Sequence, residues 1–209
     1  MTTRISAMLK NLALGISAVA FLTLASTAAQ AEVVTFNTTG CFGAACTPVA
    51  ATSTTSGGAT ATFAAQPTTT VDTSTPSGFT VADLGTITLS GAGTFASTPF
   101  TLQINQSAPT AGIGIFSGIL SGTILSGGSG SDTRIVFSNT TLNIGGVSYQ
   151  MANVSNGNTV FLDPNATGGI TRISALISAP IPEPATMLLL GTGLVGVAGA
   201  ARRRWAGRE

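Results

Sequence analysis

Short runs of alternating apolar and polar residues, separated by clusters of Gly, Ser, Thr, Asn and Pro, fill the middle of this chain. Two long, mainly apolar runs, residues 12–25 and 185–201, stand outside that pattern. A period of two marks half-buried strand, so the middle predicts a succession of β-strands. Val33-Val34-Thr35-Phe36 is the first. After a Thr/Ser/Gly stretch at 52–58 comes Ala59-Thr60-Ala61-Thr62-Phe63, and Pro67 and Pro76 punctuate the next stretch. The clearest alternation is Leu84-Gly85-Thr86-Ile87-Thr88-Leu89, with Phe100-Thr101-Leu102-Gln103-Ile104-Asn105 close behind. Residues 112–125 extend the pattern, but Gly114, Gly118 and Gly122 fall inside it. Glycine there predicts bulges or close backbone approach in a bent strand. A polar loop, 126–131, precedes Arg134-Ile135-Val136-Phe137.

The most specific local signal is a hairpin. Thr141-Leu142-Asn143-Ile144 meets Gly145-Gly146 and then Val147-Ser148-Tyr149-Gln150-Met151. A two-residue Gly-Gly turn accepts the positive φ angles of tight hairpins. It would pair Ile144 with Val147 and Leu142 with Tyr149, all on one face. A further turn at 153–158 leads to Thr159-Val160-Phe161-Leu162, the loop Asp163-Pro164-Asn165, and a last strand at 169–177 running into Pro180. Nine to eleven strands and no helix predict an all-β domain over residues 32–178, an antiparallel β-sandwich or jelly-roll-like fold.

The end segments are of another kind. Residues 1–31 read as a secretory signal peptide: Arg4 and Lys10 before the apolar run, then Ala29-Gln30-Ala31 as the cleavage site, with a mature start at Glu32. Residues 179–209 hold Pro182-Glu183-Pro184, the run 185–201 and a basic tail, 202–209, that begins Arg202-Arg203-Arg204. The prolines block both helix and strand and present an extended peptide. The run has 17 residues, about 25 Å of helix at about 1.5 Å per residue, the minimum that spans a membrane. The arginines would act as a stop and stay in the cytoplasm, leaving the domain outside.

Charge narrows the function classes. The net charge of +1 conceals a middle in which Arg134 and Arg172 face Glu32, Asp72, Asp83, Asp132 and Asp163, without lysine. Such a domain has no electrostatic footprint for nucleic acid. Cys41 and Cys46, with four residues between them, read as a small local disulfide in an exported protein. Its loop is so short that chain entropy supplies only about 2 kcal/mol. A metal pair is the other option, but two thiolates with no histidine in the chain make a poor zinc site. The aspartates are the candidates for acid/base or Ca²⁺ chemistry, the latter around Asp163-Pro164-Asn165, yet no spacing brings two together, and loop aspartates commonly cap turns. Without histidine or a serine in a nucleophile elbow, the usual hydrolase and redox parts are missing. The expectation is a protein that is not an enzyme and uses no cofactor or metal. Five Asn-x-Ser/Thr triplets, at Asn37, Asn105, Asn139, Asn153 and Asn165, are candidate glycosylation sites.

Pro-Glu-Pro, a Gly- and Leu-rich span of this length and a terminal arginine cluster resemble, in order and spacing, the PEP-CTERM sorting signal of bacterial surface proteins. The resemblance covers residues 181–208, with Ile181 where valine is more usual. It implies recognition by an exosortase, a membrane transpeptidase-like enzyme with a catalytic cysteine that cuts near Pro-Glu-Pro. Pro182, Glu183 and Pro184 are then recognition residues, and Arg202, Arg203 and Arg204 the stop-transfer signal. The partners so implied are the export translocon, signal peptidase, the exosortase, the membrane transiently through 185–201, and exopolysaccharide. The expected role is a structural or adhesive biofilm component, first a membrane-anchored precursor and then at the cell surface or in the extracellular matrix. The alternative is a glycan-binding module or carbohydrate-active enzyme delivered by the same route. Against it, the chain has one tyrosine, and its one tryptophan, Trp205, lies beyond the span.

Overall fold

Thr, Val and Ile crowd the strands because β-branched side chains fit a pleated surface. In the computed structural model, which describes residues 33–127, 131–163, 169–180, 191–193 and 196, they build twelve strands. These are β1 Val33–Phe42, β2 Ala51–Ser56, β3 Ala59–Ala65, β4 Thr69–Asp72, β5 Thr80–Ser90 and β6 Gly93–Ala108. Then come β7 Gly112–Ile124, β8 Arg134–Phe137, β9 Thr141–Ile144, β10 Val147–Met151, β11 Thr159–Phe161 and β12 Ile170–Ser178. They form two six-stranded antiparallel sheets. Sheet A runs β11-β8-β7-β6-β1-β4 and sheet B β2-β3-β5-β12-β10-β9. The domain is therefore all-β, as expected, and two such sheets are consistent with a sandwich.

The count exceeds the expected nine to eleven because two elements carry no alternation to read. Strand β2 lies in the Thr/Ser/Gly stretch and buries no side chain, and β4 is a four-residue edge strand between prolines. The hairpin is as the Gly-Gly turn requires: Ile144 pairs with Val147 and Leu142 with Tyr149. Gly145 and Gly146 have φ of 57° and 90°, the doubly positive geometry that matches strand twist.

The core lies between the sheets. Phe36, Phe63, Phe95, Phe100, Phe116, Phe137 and Tyr149 are all fully buried. Edge-to-face contacts cross it: Phe63 of β3 meets Phe100 of β6 at 5.4 Å, and Phe36 of β1 meets Tyr149 of β10 at 5.8 Å. Each such pair is worth about 0.5–1.5 kcal/mol beyond its buried area. Polar groups also bridge the layers. Thr38 Oγ1 of β1 donates to Leu84 O of β5 at 2.7 Å. Tyr149 Oη donates to Gln106 Oε1 at 2.7 Å, while Gln106 Nε2 donates to the Thr110 and Ile144 carbonyls.

Two glycine positions show how tightly neighbouring strands meet, Gly114 across the two layers and Gly85 within sheet B. Gly114 of β7 leaves room for β9: a Cβ there would stand 2.6 Å from Ile144 Cδ1. This is the close approach that glycine in this strand implied. Gly85 has φ +141°, and a Cβ would fall 2.6 Å from Phe63 Cε2 and 2.7 Å from Ala64 O. It sits opposite the register shift at Ile173/Ser174 of β12, so the bulge and the glycine belong together.

Among the described residues no helix is long and apolar enough to cross a membrane. The expected span 185–201 falls largely outside them; Gly191, Thr192, Gly193 and Gly196 are helical.

Candidate functional site

Pro182, Glu183, Pro184, the arginines Arg202, Arg203 and Arg204, and Ala29 and Ala31 of the expected cleavage site lie outside the described residues. The structure does define where the domain hands the chain to the sorting segment. Strand β12 ends at Ser178, Ala179 is 9% exposed and belongs to the core, and Pro180 packs over the hairpin turn. A Cβ on Gly146 would lie 3.5 Å from Pro180 Cγ. The fold thus grips the chain through Pro180, two residues short of Pro182.

The start of the domain lies at the same end. Val33 pairs with Asp72, Thr80 Oγ1 donates to Asp72 O, and Thr80 pairs with Ile177. That series of neighbours sets the first residue of β1 at the same end of the domain as the last residues of β12. Three further connections sit at this end: the loop 73–79, the turn 108–111, and Gly145-Gly146, whose neighbour is Thr110.

Cys41, at the end of β1, and Cys46 form a disulfide. Its loop is also pinned by Gly43 N, which donates to Pro99 O at 2.8 Å. The aspartates are scattered and engaged locally. Asp72 accepts from the Ser74 hydroxyl and, at 2.8 Å, from Ser74 N, and these two bonds, the side-chain one first, hold its carboxyl below the usual carboxylate range. Asp83 pairs with Arg172 and accepts from Ser174 Oγ. Asp132 accepts from Thr123 N at 2.7 Å and lies 3.8 Å from Arg134. The backbone N–H of Asp163 donates to Thr171 Oγ1. Among the described residues no three acidic or cysteine side chains gather as a metal set.

Three of the triplet asparagines use their amide nitrogens within the fold. Asn105 Nδ2 donates to Asn37 Oδ1, Asn139 Nδ2 to Ile115 O, and Asn153 Nδ2 to Arg172 O. Asn165 lies outside the described residues.

Sequence reasoning missed the outer face of sheet A. There Gln103 Nε2 donates to Asn105 Oδ1 at 2.6 Å, and Asn105 continues to Asn37 at 3.0 Å. Beside this amide row stand Ile113 and Ile115, cross-strand from Asn105 and Gln103 and 66% and 45% exposed. No signal in the chain marks these isoleucines as outward, because alternation defines two faces without saying which is covered.

No curated protein and no solved structure matches the chain. Residues 180–204 match the family of the PEP-CTERM protein-sorting motif, a match that opens at Pro180, the residue on which the folded domain closes. Such a motif implies export and processing by an exosortase. The C-terminal segment of this chain is a PEP-CTERM protein-sorting motif.

Proposed function

We propose that the chain is an exported, non-enzymatic surface or extracellular-matrix protein. Its signal peptide, residues 1–31, starts export; the span 185–201 holds the precursor with its domain outside the cytoplasm; an exosortase then cuts near Pro182-Glu183-Pro184. The released jelly-roll-like sandwich serves as a structural or adhesive component of a biofilm or exopolysaccharide matrix. The observation that carries this reading is the sorting motif abutting the domain at Pro180. The domain itself supports a scaffold role, since its aspartates are engaged in turns and ion pairs.

The test is fractionation of wild type against Glu183→Ala, with mass analysis of the C-terminus. Wild type should reach the surface with a trimmed tail, and the variant should stay full-length in the membrane fraction. A variant equally cut and equally exported removes the sorting reading.

A second reading is favoured by one observation: the ordered amide row Gln103-Asn105-Asn37 beside Ile113 and Ile115. Fixed amides next to an uncharged apolar strip suit the hydroxyls and C–H faces of a neutral glycan.

A further inference from the structure

We infer that the end of the domain from which the sorting segment leaves is a lipid-facing surface of the precursor, resting its apolar side chains in the interfacial layer of the membrane. The inference builds on the reading of 185–201 as a span.

The first support is the length of the tether. The fold holds the chain through Pro180, and the apolar run opens at Ala185. Five residue steps reach at most about 17 Å when fully extended. Each headgroup layer occupies about 5–7 Å of a bilayer. The domain end therefore stands no more than about 10–12 Å above the headgroups, and closer at any tilt of the tether.

The second support is what this end exposes. Val81 at the start of β5 and Ile113 at the start of β7 are 57% and 66% exposed, the two highest values among the large apolar side chains of the described residues. Phe79 in the preceding loop and Val33 at the start of β1 are exposed as well. In the described residues of these connections (33, 72–81, 107–113, 144–147 and 178–180) Asp72 is the one charged side chain. An apolar, nearly uncharged rim held beside a bilayer partitions into its interface by burying surface. Such docking does not depend on anionic lipid and is not screened by salt.

The third support is topological. The signal peptide precedes Val33, so both apolar end segments leave from this one end of the domain. A precursor held by either segment presents the same rim to the membrane.

The experiment uses precursor purified from membranes and reconstituted in phosphatidylcholine vesicles, with and without acyl-brominated lipid. Trp205→Phe gives a background without tryptophan, into which Val81→Trp, Ile113→Trp, Leu125→Trp, Ile170→Trp and Leu190→Trp are placed singly. Leu125 and Ile170 are exposed at the opposite end of the strands and serve as references. Bromolipid should quench Val81→Trp and Ile113→Trp about twofold more than either reference, unchanged by added salt. Strong quenching of Leu190→Trp with equal values at all four domain positions overturns the proposal and leaves the span intact. No quenching of Leu190→Trp overturns the span reading, and the proposal with it. Domain quenching that salt abolishes shows an electrostatic contact and also overturns the proposal.

Discussion

Tyr149→Phe isolates one buried oxygen atom and tests the inter-sheet polar network. The Tyr149 ring is fully buried between β1 and β10, and its hydroxyl is a hydrogen-bond donor to Gln106 Oε1 at 2.7 Å. Gln106 is itself 4% exposed, and its amide nitrogen is committed to the Thr110 and Ile144 carbonyls. The amide therefore cannot turn to find another donor without giving up those two bonds. Phenylalanine keeps the ring contacts and leaves a buried carbonyl oxygen unpaired, a loss of about 1–3 kcal/mol. In a domain of this size each kcal/mol corresponds to about 2–4 °C in Tm.

A pH arm sharpens the assay. Burial pushes the Tyr149 hydroxyl well above the ordinary tyrosine range. As pH rises past about 10, the unfolded chain releases a proton that the folded chain retains. The unfolded state then binds fewer protons, so stability falls with pH, by at most about 1.4 kcal/mol per pH unit. The titration is unusually clean. Tyr149 is the one tyrosine, Lys10 is the one lysine and lies before the domain, and the cysteines are bonded. Urea denaturation of the exported protein from pH 7 to pH 12 should show wild type declining above pH 10. Tyr149→Phe should start lower and stay nearly flat over that window. A variant as stable as wild type at pH 7, or one with the same alkaline decline, refutes the reasoning.

Gly85→Ala should cost about 2–5 kcal/mol in urea denaturation, from φ strain plus a clash with Phe63 and the Ala64 carbonyl; a change within about 0.5 kcal/mol would mean that the bulge relaxes freely. If the outer face of sheet A holds neutral glycan, wild type should be retarded in gels containing neutral polysaccharide, and Asn105→Leu with Ile115→Ser should run free. Equal mobility of the two proteins across a panel of such gels counts against the glycan reading. Glu183→Ala should leave the tail uncut.

Much of the architecture was legible because it is written locally. The Gly-Gly hairpin could be placed to the residue pair, since a two-residue turn dictates register through chain geometry alone. The alternation in Leu84–Leu89 and Phe100–Asn105 gave true strands with Leu84, Ile87, Leu102 and Ile104 buried. Strand β2 was not legible, because Ala-Thr-Ser-Thr-Thr-Ser has no apolar period; it is a strand only because β3 offers it a hydrogen-bonding edge. Nor was the amide row, whose members Asn37 and Asn105 are 68 residues apart and meet through β1–β6 pairing.

The chain by itself determined the class of the domain, the turn at Gly145-Gly146 and the sorting motif, because periodicity, turn chemistry and a contiguous Pro-Glu-Pro segment all act over a few residues. Only the tertiary structure decided that β1 lies between β4 and β6 and that β12 lies between β5 and β10. With those pairings came the place of Gly85 against a bulge, the outward turn of Ile113 and Ile115, and the position of Val33 and Pro180 at one end of the strands. Alternation tells each side chain its face, but which strand lies alongside, and which face is left to solvent, depends on contacts between residues far apart in the chain.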